Sequence, residues 1–476
     1  MIPRPPIPQS LWNTVPAEAQ SALLVLLDAL EKRIAELQAR LNQNSTNSSK
    51  PPSSDPIGLK RKPLGKPSRR NRGGQPGHPK AFRTLVPPEK LRSSRDCKPM
   101  SCRRCGHTLH GEDPSPRVHQ FVDLPRIEPI VDEYRLHRLT CRHCGQTTCA
   151  TLPEGVPTGH FSPYTQAVLA TLAGAYRLSK RQIQQLVGDL FGLSISTGMI
   201  SKLERQSAAA LAEPYHELAQ SVLEAEVVNI DETGWREDRR KAWLWVTMTA
   251  VATVFTIASK RSAAVAQNLL GDKEDQVVGS DRFSAYNWLS AFWRQICWGH
   301  LRRDFQAMID RGGEAAVIGR RLMRLSDRIF GRWHQARDGT LEWECLPERV
   351  LRLRPAIQRA LEDGSECACA ATAGTCSEIL RVEEGLWNFV WFPGVEPTNN
   401  AAERALRHAV IWRRISGGTD SAEGSRFVER MLSVVATCRQ QGRDVLDCLA
   451  SCFEAARRGQ AIPSLLPATR PKIKVA

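Results

Sequence analysis

With 476 residues, 41% of them apolar, the chain has the length for about three domains and the apolar content to build their cores. No apolar run approaches the roughly 20 residues that a membrane-spanning helix needs, and the start lacks the basic-then-apolar pattern of a signal peptide. Fourteen cysteines therefore point to a reducing compartment with free or metal-bound thiols, and a net charge of +16 without an amphipathic apolar face favours a polyanion over a membrane surface.

In chain order, Leu23, Leu27, Leu30, Ile34, Leu37 and Leu41 alternate steps of four and three residues. This is the seam of a coiled coil, expected over 16–43 and able to join two chains; the alternative is an amphipathic helix packed on its own protein. Next, residues 44–95 form a basic linker rich in Pro and Gly. Over residues 50–104 sixteen Lys and Arg face three acids. Such a segment cannot bury enough apolar surface to fold alone, but it can neutralise phosphates. Lys60, Arg61, Lys62, Lys66, Arg69, Arg70 and Arg72 are its candidate phosphate contacts, the alternative being a linker that only solubilises.

Cys102-x-x-Cys105-Gly106 and Cys141-x-x-Cys144-Gly145 are matched knuckles in a module over 96–150. Four thiolates can hold one structural zinc tetrahedrally, and the glycines permit the tight turns. Cys97, His107, His143 and Cys149 are spare ligands, and the alternation over 118–124 and 130–139 predicts short strands. Residues 160–224 are helical in pattern. Ser179 can cap a helix over Lys180–Phe191, Gly192 supplies a turn, and Ser196 or Thr197 can cap a second helix over 198–211 bearing Lys202 and Arg205. That layout suits a helix-turn-helix with these two cations on the recognition helix, although an ordinary helical connector gives the same pattern.

Two acids then follow apolar runs of β-formers. Asp231 comes after 227–230 and Asp281 after 276–278, so each is expected at or just past a strand end, where open α/β sheets keep their sites. Residues 241–258 predict two further strands between them. Glu403 lies differently, in the first turns of a helix that Asn399 or Asn400 can cap. Each acid alone is what a turn or cap would carry. In this order they form a candidate set of three carboxylates, and such sets can hold two divalent cations for phosphodiester chemistry.

These stretches resemble the DDE transposases of insertion-sequence family sixty-six. The resemblance rests on Asp231-Glu232-Thr233, on Ser280-Asp281 followed by Tyr286-Asn287, on the run from Trp298 through His300, Arg302 and Arg303 to Phe305, and on Thr398-Asn399-Asn400-Ala401-Ala402-Glu403-Arg404. In the front half, the polar linker, Gly73-Gly74-Gln75-Pro76-Gly77-His78 and the paired knuckles resemble the family in the same order. The resemblance implies a ribonuclease-H-like mixed sheet with flanking helices over 225–435, and a catalytic triad of Asp231, Asp281 and Glu403 holding two Mg²⁺ or Mn²⁺ ions. Two departures stand out. Arg282-Phe283 follows Asp281 where the family more often has glycine and an aromatic, and the long interval to Glu403 requires an insertion, about 310–390. Residues 318–361 suit it, with Leu322, Leu325, Ile329 and Trp333 at helical spacing. Glu396 is the competing third carboxylate.

The expected protein is thus a multidomain α/β DNA transposase, cytoplasmic and nucleoid-associated, ending in a helix and tail over 436–476. Its expected partners are insertion-sequence ends and target DNA, a second copy of itself, and accessory proteins encoded by the same element. His300, Arg302, Arg303, Arg404 and Arg407 are candidate phosphate contacts near the triad, the alternative being surface solvation or ion pairing. A zinc-containing DNA-binding regulator with an inactive catalytic fold, or a metal-dependent nuclease without strand transfer, would share these features.

Overall fold

The computed structural model describes residues 8–48, 84–157, 159–271 and 275–467. The basic-arm residues Lys60, Arg61, Lys62, Lys66, Arg69, Arg70 and Arg72 lie outside the described residues, as does the Gly73–His78 stretch. A short helix α1 (Gln9–Trp12) precedes α2 (Ala17–Leu41). Leu23, Leu30, Ile34, Leu37 and Leu41 are exposed along its heptad seam, so in the single chain the stripe faces outward.

Around the knuckles there is little regular structure. β1 (Arg138–Thr140) and β2 (Thr147–Cys149) pair antiparallel across the second knuckle. The strands expected over 118–124 and over most of 130–139 do not form. Phe121, Leu124, Ile130 and Val131 are each more than four-fifths exposed, and strands without a buried face gain nothing to hold them.

Four helices follow: α3 (Pro163–Gly174), α4 (Lys180–Phe191), α5 (Thr197–Ala210) and α6 (Ala212–Leu223). Local chemistry sets their ends. Ser179 and Gln182 form a reciprocal capping box at α4, Gly192 ends that helix at φ 63°, and Ser196 accepts from Met199 N at the start of α5. On α5, Ile200 and Leu203 are buried while Lys202 and Arg205 are exposed.

The sheet comes next. β3 (Val227–Glu237), β4 (Arg240–Met248) and β5 (Thr253–Ala258) form an antiparallel meander whose first turn, Asp238-Arg239, has both φ angles positive, as two-residue hairpin turns demand. After α7 (Ala263–Leu270), β6 (Val277–Ser280) pairs parallel with β3, and β7 (Arg294–Ile296) pairs parallel with β6. The order β5-β4-β3-β6-β7 is compatible with a ribonuclease-H-like core. Where β6 meets β3, a Cβ on Gly279 would lie 2.3 Å from Asn229 Oδ1, so a larger residue there would have to displace the Asn229 side chain.

α8 (Trp298–Arg311) leads into a helical insertion of α9 (Gly313–Arg337), α10 (Leu346–Leu351), α11 (Arg354–Ser365), α12 (Ala370–Arg381) and α13 (Asn388–Trp391). Its core gathers Leu322, Leu325, Ile329 and Trp333 of α9 with Leu301 and Phe305 of α8. The chain returns through α14 (Asn400–Ser416), α15 (Ala422–Gln440) and α16 (Val445–Arg458). α14 lies on the face of β3 that carries Trp235; the other face shares one core with α3 to α6, α15 and α16. No helix of the described residues is long and apolar enough to cross a membrane.

α15 also covers the free edge of β5. Thr437 Oγ1, Ser433 Oγ and Glu429 Oε1 accept from the backbone N–H groups of Thr253, Phe255 and Ile257 at 3.1, 2.8 and 2.5 Å. Four residues of helix rise about 6 Å and two of strand about 6.7 Å, so the two spacings stay in step over three contacts. Burial pushes the Glu429 carboxyl up to about 7. The folded chain therefore holds this proton more tightly than the unfolded one, and the stability it contributes is complete below the ordinary value of 4.5 and lost as pH rises through about 7. Glu429→Gln keeps an acceptor for Ile257 N–H and abolishes this dependence. In denaturant titrations at about pH 4.5 and 8, the parent should lose up to about 3 kcal/mol more than the variant; equal losses would contradict the assignment.

Candidate active site

Asp231 is not at a strand end, as the sequence suggested, but in the middle of β3. Pairing with β6 stops at Asn229 while pairing with β4 continues to Glu237, so the acid sits just beyond the point where the parallel neighbour ends. Asp281 does follow the last residue of β6, and its Oδ1 accepts from Phe283 N at 2.9 Å, which turns the loop. Glu403 is in the first turn of α14. Asn399 occupies the cap position, yet its side chain does not cap: Nδ2 donates to Ile230 O at 2.7 Å and fastens the helix to β3. About four helical turns further on, Arg413 donates to Thr233 Oγ1 at 3.2 Å and also reaches Gly234 O.

Successive strand side chains point to opposite faces, so Asp231 shares its face with Trp235 and hence with α14. Burial is the largest cause raising the Asp231 carboxyl well above the usual range, followed by the negative charges of Glu232, Asp281 and Glu403. Three other acids thus act on Asp231. Glu396 is exposed on the loop before α14 and is not among the charges that raise Asp231.

Glu232, beside Asp231 in sequence, has a different situation. Its side chain is 1% exposed, Arg261 Nε and Nη2 donate to Oε1 at 2.7 and 2.6 Å, and Tyr286 OH donates to Oε2. The Arg261 guanidinium lies 3.6 Å from the centroid of the Phe283 ring. Burial still raises Glu232, and the Tyr286 hydrogen bond and the Arg261 charge oppose that rise. Buried Arg294 braces the Asp281 loop from below, donating to Ser280 Oγ at 3.0 Å, Asp281 O at 2.7 Å and Phe283 O at 3.3 Å; burial lowers its pKa to about 10. The sequence reading missed Arg261 and Arg294, since no local pattern links either to an acid. Only the sheet brings them there.

The other candidates divide. His300 Nδ1 lies 3.6 Å from Glu403 Oε1 and Arg303 Nη2 lies 3.5 Å from Glu403 Oε2. Arg302 turns away, bonding Ser326 Oγ and Asp327 Oδ1, both at 2.6 Å, and lying over the Phe330 ring, so it belongs to the packing of α8 on α9. Arg404 and Arg407 are exposed on α14. Arg282, the departure beside Asp281, pairs with Asp304 at 2.5 Å and Glu378 at 3.2 Å.

At the knuckles, Cys102 N donates to His107 O and Cys141 N to Gln146 O, at 2.9 and 2.8 Å, and Gly106 and Gly145 have φ 73° and 72°. Backbone hydrogen bonds from residues at each turn lower the Cys102 and Cys141 thiols, so each turn favours thiolates. The two turns have one geometry, but the structure does not gather Cys102, Cys105, Cys141 and Cys144 at one point. Among the described residues, the group of three metal-competent side chains within 4.8 Å is Cys297, His300 and Glu403.

The chain matches the transposase IS66 family over residues 158–426 and a family of unknown function (DUF6444) over residues 5–84. It is similar to two proteins of Sinorhizobium fredii (strain NBRC 101917 / NGR234). The uncharacterized protein y4hP is 23% identical over 379 residues, 72% of this chain and 68% of its own. The uncharacterized protein y4qI is 24% identical over 477 residues, 92% and 82% of the respective chains.

The Arg261–Glu232 contact makes a prediction of its own. Arg261→Met should cost about 3 kcal/mol or more, because it leaves a buried carboxylate without its cation, whereas Arg261→Met combined with Glu232→Gln should recover most of that loss. Urea unfolding of both variants checks this. Additive losses would show that the two side chains act independently.

Proposed function

The chain belongs to the IS66 family of transposases, and from that premise we propose that Asp231, Asp281 and Glu403 are its catalytic triad, cutting DNA at insertion-sequence ends and joining the freed 3′-hydroxyl to target DNA. The observation that carries this reading is the placement of Asp231, buried in β3 just past its pairing with β6, its carboxyl raised by burial and then by the charges of Glu232, of Asp281 at the end of β6 and of Glu403 on α14. Glu232 has Arg261 as its cation, but Asp231 has no ion pair among the described residues. An all-oxygen set of carboxylates suits Mg²⁺ or Mn²⁺. When bound, two such ions would activate the attacking water or 3′-hydroxyl and stabilise the leaving oxygen.

In this reading Asp231, Asp281 and Glu403 would together hold the two ions. His300 and Arg303 orient Glu403. Arg404 and Arg407, exposed on the same helix, and Lys202 and Arg205, exposed on α5, are offered to DNA phosphates. The basic arm from Lys60 to Arg72 adds charge that neutralises further phosphates. The outward seam of α2 would join two copies, as holding two element ends together requires, and accessory proteins of the same element remain proposed partners. The matched turns at Cys102–Cys105 and Cys141–Cys144 each offer two thiolates, and one structural zinc would have to draw the two turns together.

Asp231→Asn, Asp281→Asn and Glu403→Gln should each reduce cleavage of labelled element ends by at least about a thousandfold in Mg²⁺, with DNA binding retained, and double variants should be little worse than singles. Glu396→Gln should stay active. Activity in all three triad variants would end the proposal. Cleavage without joining would make the protein a nuclease, and binding without either would make it a regulator. Separately, about one zinc per chain should survive dialysis, and Cys102→Ser or Cys141→Ser should lose it and unfold the intervening module; elemental analysis finding no zinc would refute this.

A further inference from the structure

Two helices start side by side at the rim of the acid cluster. Cys297 stands just before α8 and Asn399 just before α14. Trp298 N donates to Pro397 O at 2.9 Å, and Asn399 N donates to Cys297 Sγ at 3.1 Å. This lock brings three unlike donors together. Cys297 and His300 are three residues apart across the first turn of α8, which places them on one side of it. Glu403 reaches the same spot from α14, and one sulfur, one ring nitrogen and one carboxylate oxygen lie within 4.8 Å of one another. His300 Nδ1 is buried and has no hydrogen-bond partner.

The donor set differs in kind from that of Asp231 and Asp281. Sulfur, imidazole and carboxylate together favour zinc-class ions over Mg²⁺, which takes oxygen donors. Tetrahedral zinc, with bonds of about 2.0–2.3 Å, holds its ligand atoms roughly 3.3–3.8 Å apart. The ligand atoms lie at most about 1 Å beyond that spacing, and His300 Nδ1 and Glu403 Oε1 are already 3.6 Å apart. We propose that Cys297, His300 and Glu403 form an inhibitory site for a thiophilic divalent cation of the zinc class, whose occupation withdraws Glu403 from Asp231 and Asp281. The cation replaces the Cys297 thiol proton, which leaves to solvent, and no electrons are transferred. Water fills the fourth position, since three protein ligands leave one open.

The inhibitory half rests on the triad reading, and the binding half does not. The test uses full-length protein with zinc already in its knuckles, kept reduced and titrated with Co²⁺. A thiolate-to-cobalt charge-transfer band should appear in the parent and be absent in Cys297→Ser and His300→Gln, each verified as folded by circular dichroism. Zn²⁺ should inhibit Mg²⁺-dependent cleavage by the parent. Cys297→Ser should need at least about tenfold more Zn²⁺ than the parent for the same fractional inhibition, each read against its own rate without Zn²⁺. A band that is absent from the parent, or that persists in both variants, overturns the site. Equal Zn²⁺ sensitivity of parent and Cys297→Ser overturns its inhibitory role. Failure of the parent to cleave at all would count against the triad, with the cobalt band still deciding the site.

Discussion

Repulsion among four carboxylates is the constraint around which the rest of this molecule is arranged. Asp231 and Glu232 are neighbours in sequence, and the alternation of a strand sends them to opposite faces of β3. On one face the charge of Glu232 is balanced by Arg261 and Tyr286. On the other, Arg303 and His300 stand beside Glu403, while Asp231 has no ion pair among the described residues. The protein braces these acids mechanically more than it neutralises them: Arg294 grips the backbone around Asp281, and Asn399 and Arg413 strap α14 to β3 at both ends. A rigid frame around clustered carboxylates fixes their geometry in advance.

Much of this frame was legible in the sequence because local rules wrote it. Apolar runs before Asp231 and Asp281 mark β3 and β6, the Trp- and Val-rich stretch marks β4 and β5, and the spacing of Leu322, Leu325, Ile329 and Trp333 marks α9. Ser179, Gly192 and Ser196 set helix ends by chemistry confined to a few residues. What was illegible depends on distant partners. β7 is Arg-Gln-Ile, fully buried, and its polar side chains bond to other segments instead of forming an apolar pattern. Asp231 looked like a strand end because the apolar run stops there, whereas β3 continues on its pairing with β4. The opposite error occurred between the knuckles, where alternation suggested strands but no second layer exists to bury them.

The helices before the sheet gain meaning from their packing. Ile200 and Leu203 of α5 enter the core that also holds Val228 and Ile230 of β3 and Met431 of α15. The exposed Lys202 and Arg205 are therefore carried on the same packed body as Asp231. A polyanion held by α5 would be held in fixed register with the acids, since well-packed interiors transmit displacement with little loss.

The side-chain ladder from α15 to β5 has a counterpart at the far edge of the sheet. There Gln295 accepts from Phe389 N, and a Cβ on Gly385 would meet Arg294 O at 2.5 Å, so the segment before and through α13 lies tight against β7. With both borders occupied, the sheet is closed to growth. No strand from another copy can be added to it, which removes the commonest accident of proteins that must crowd together at high local concentration. A strand from another copy would first have to displace α15 or the segment through α13.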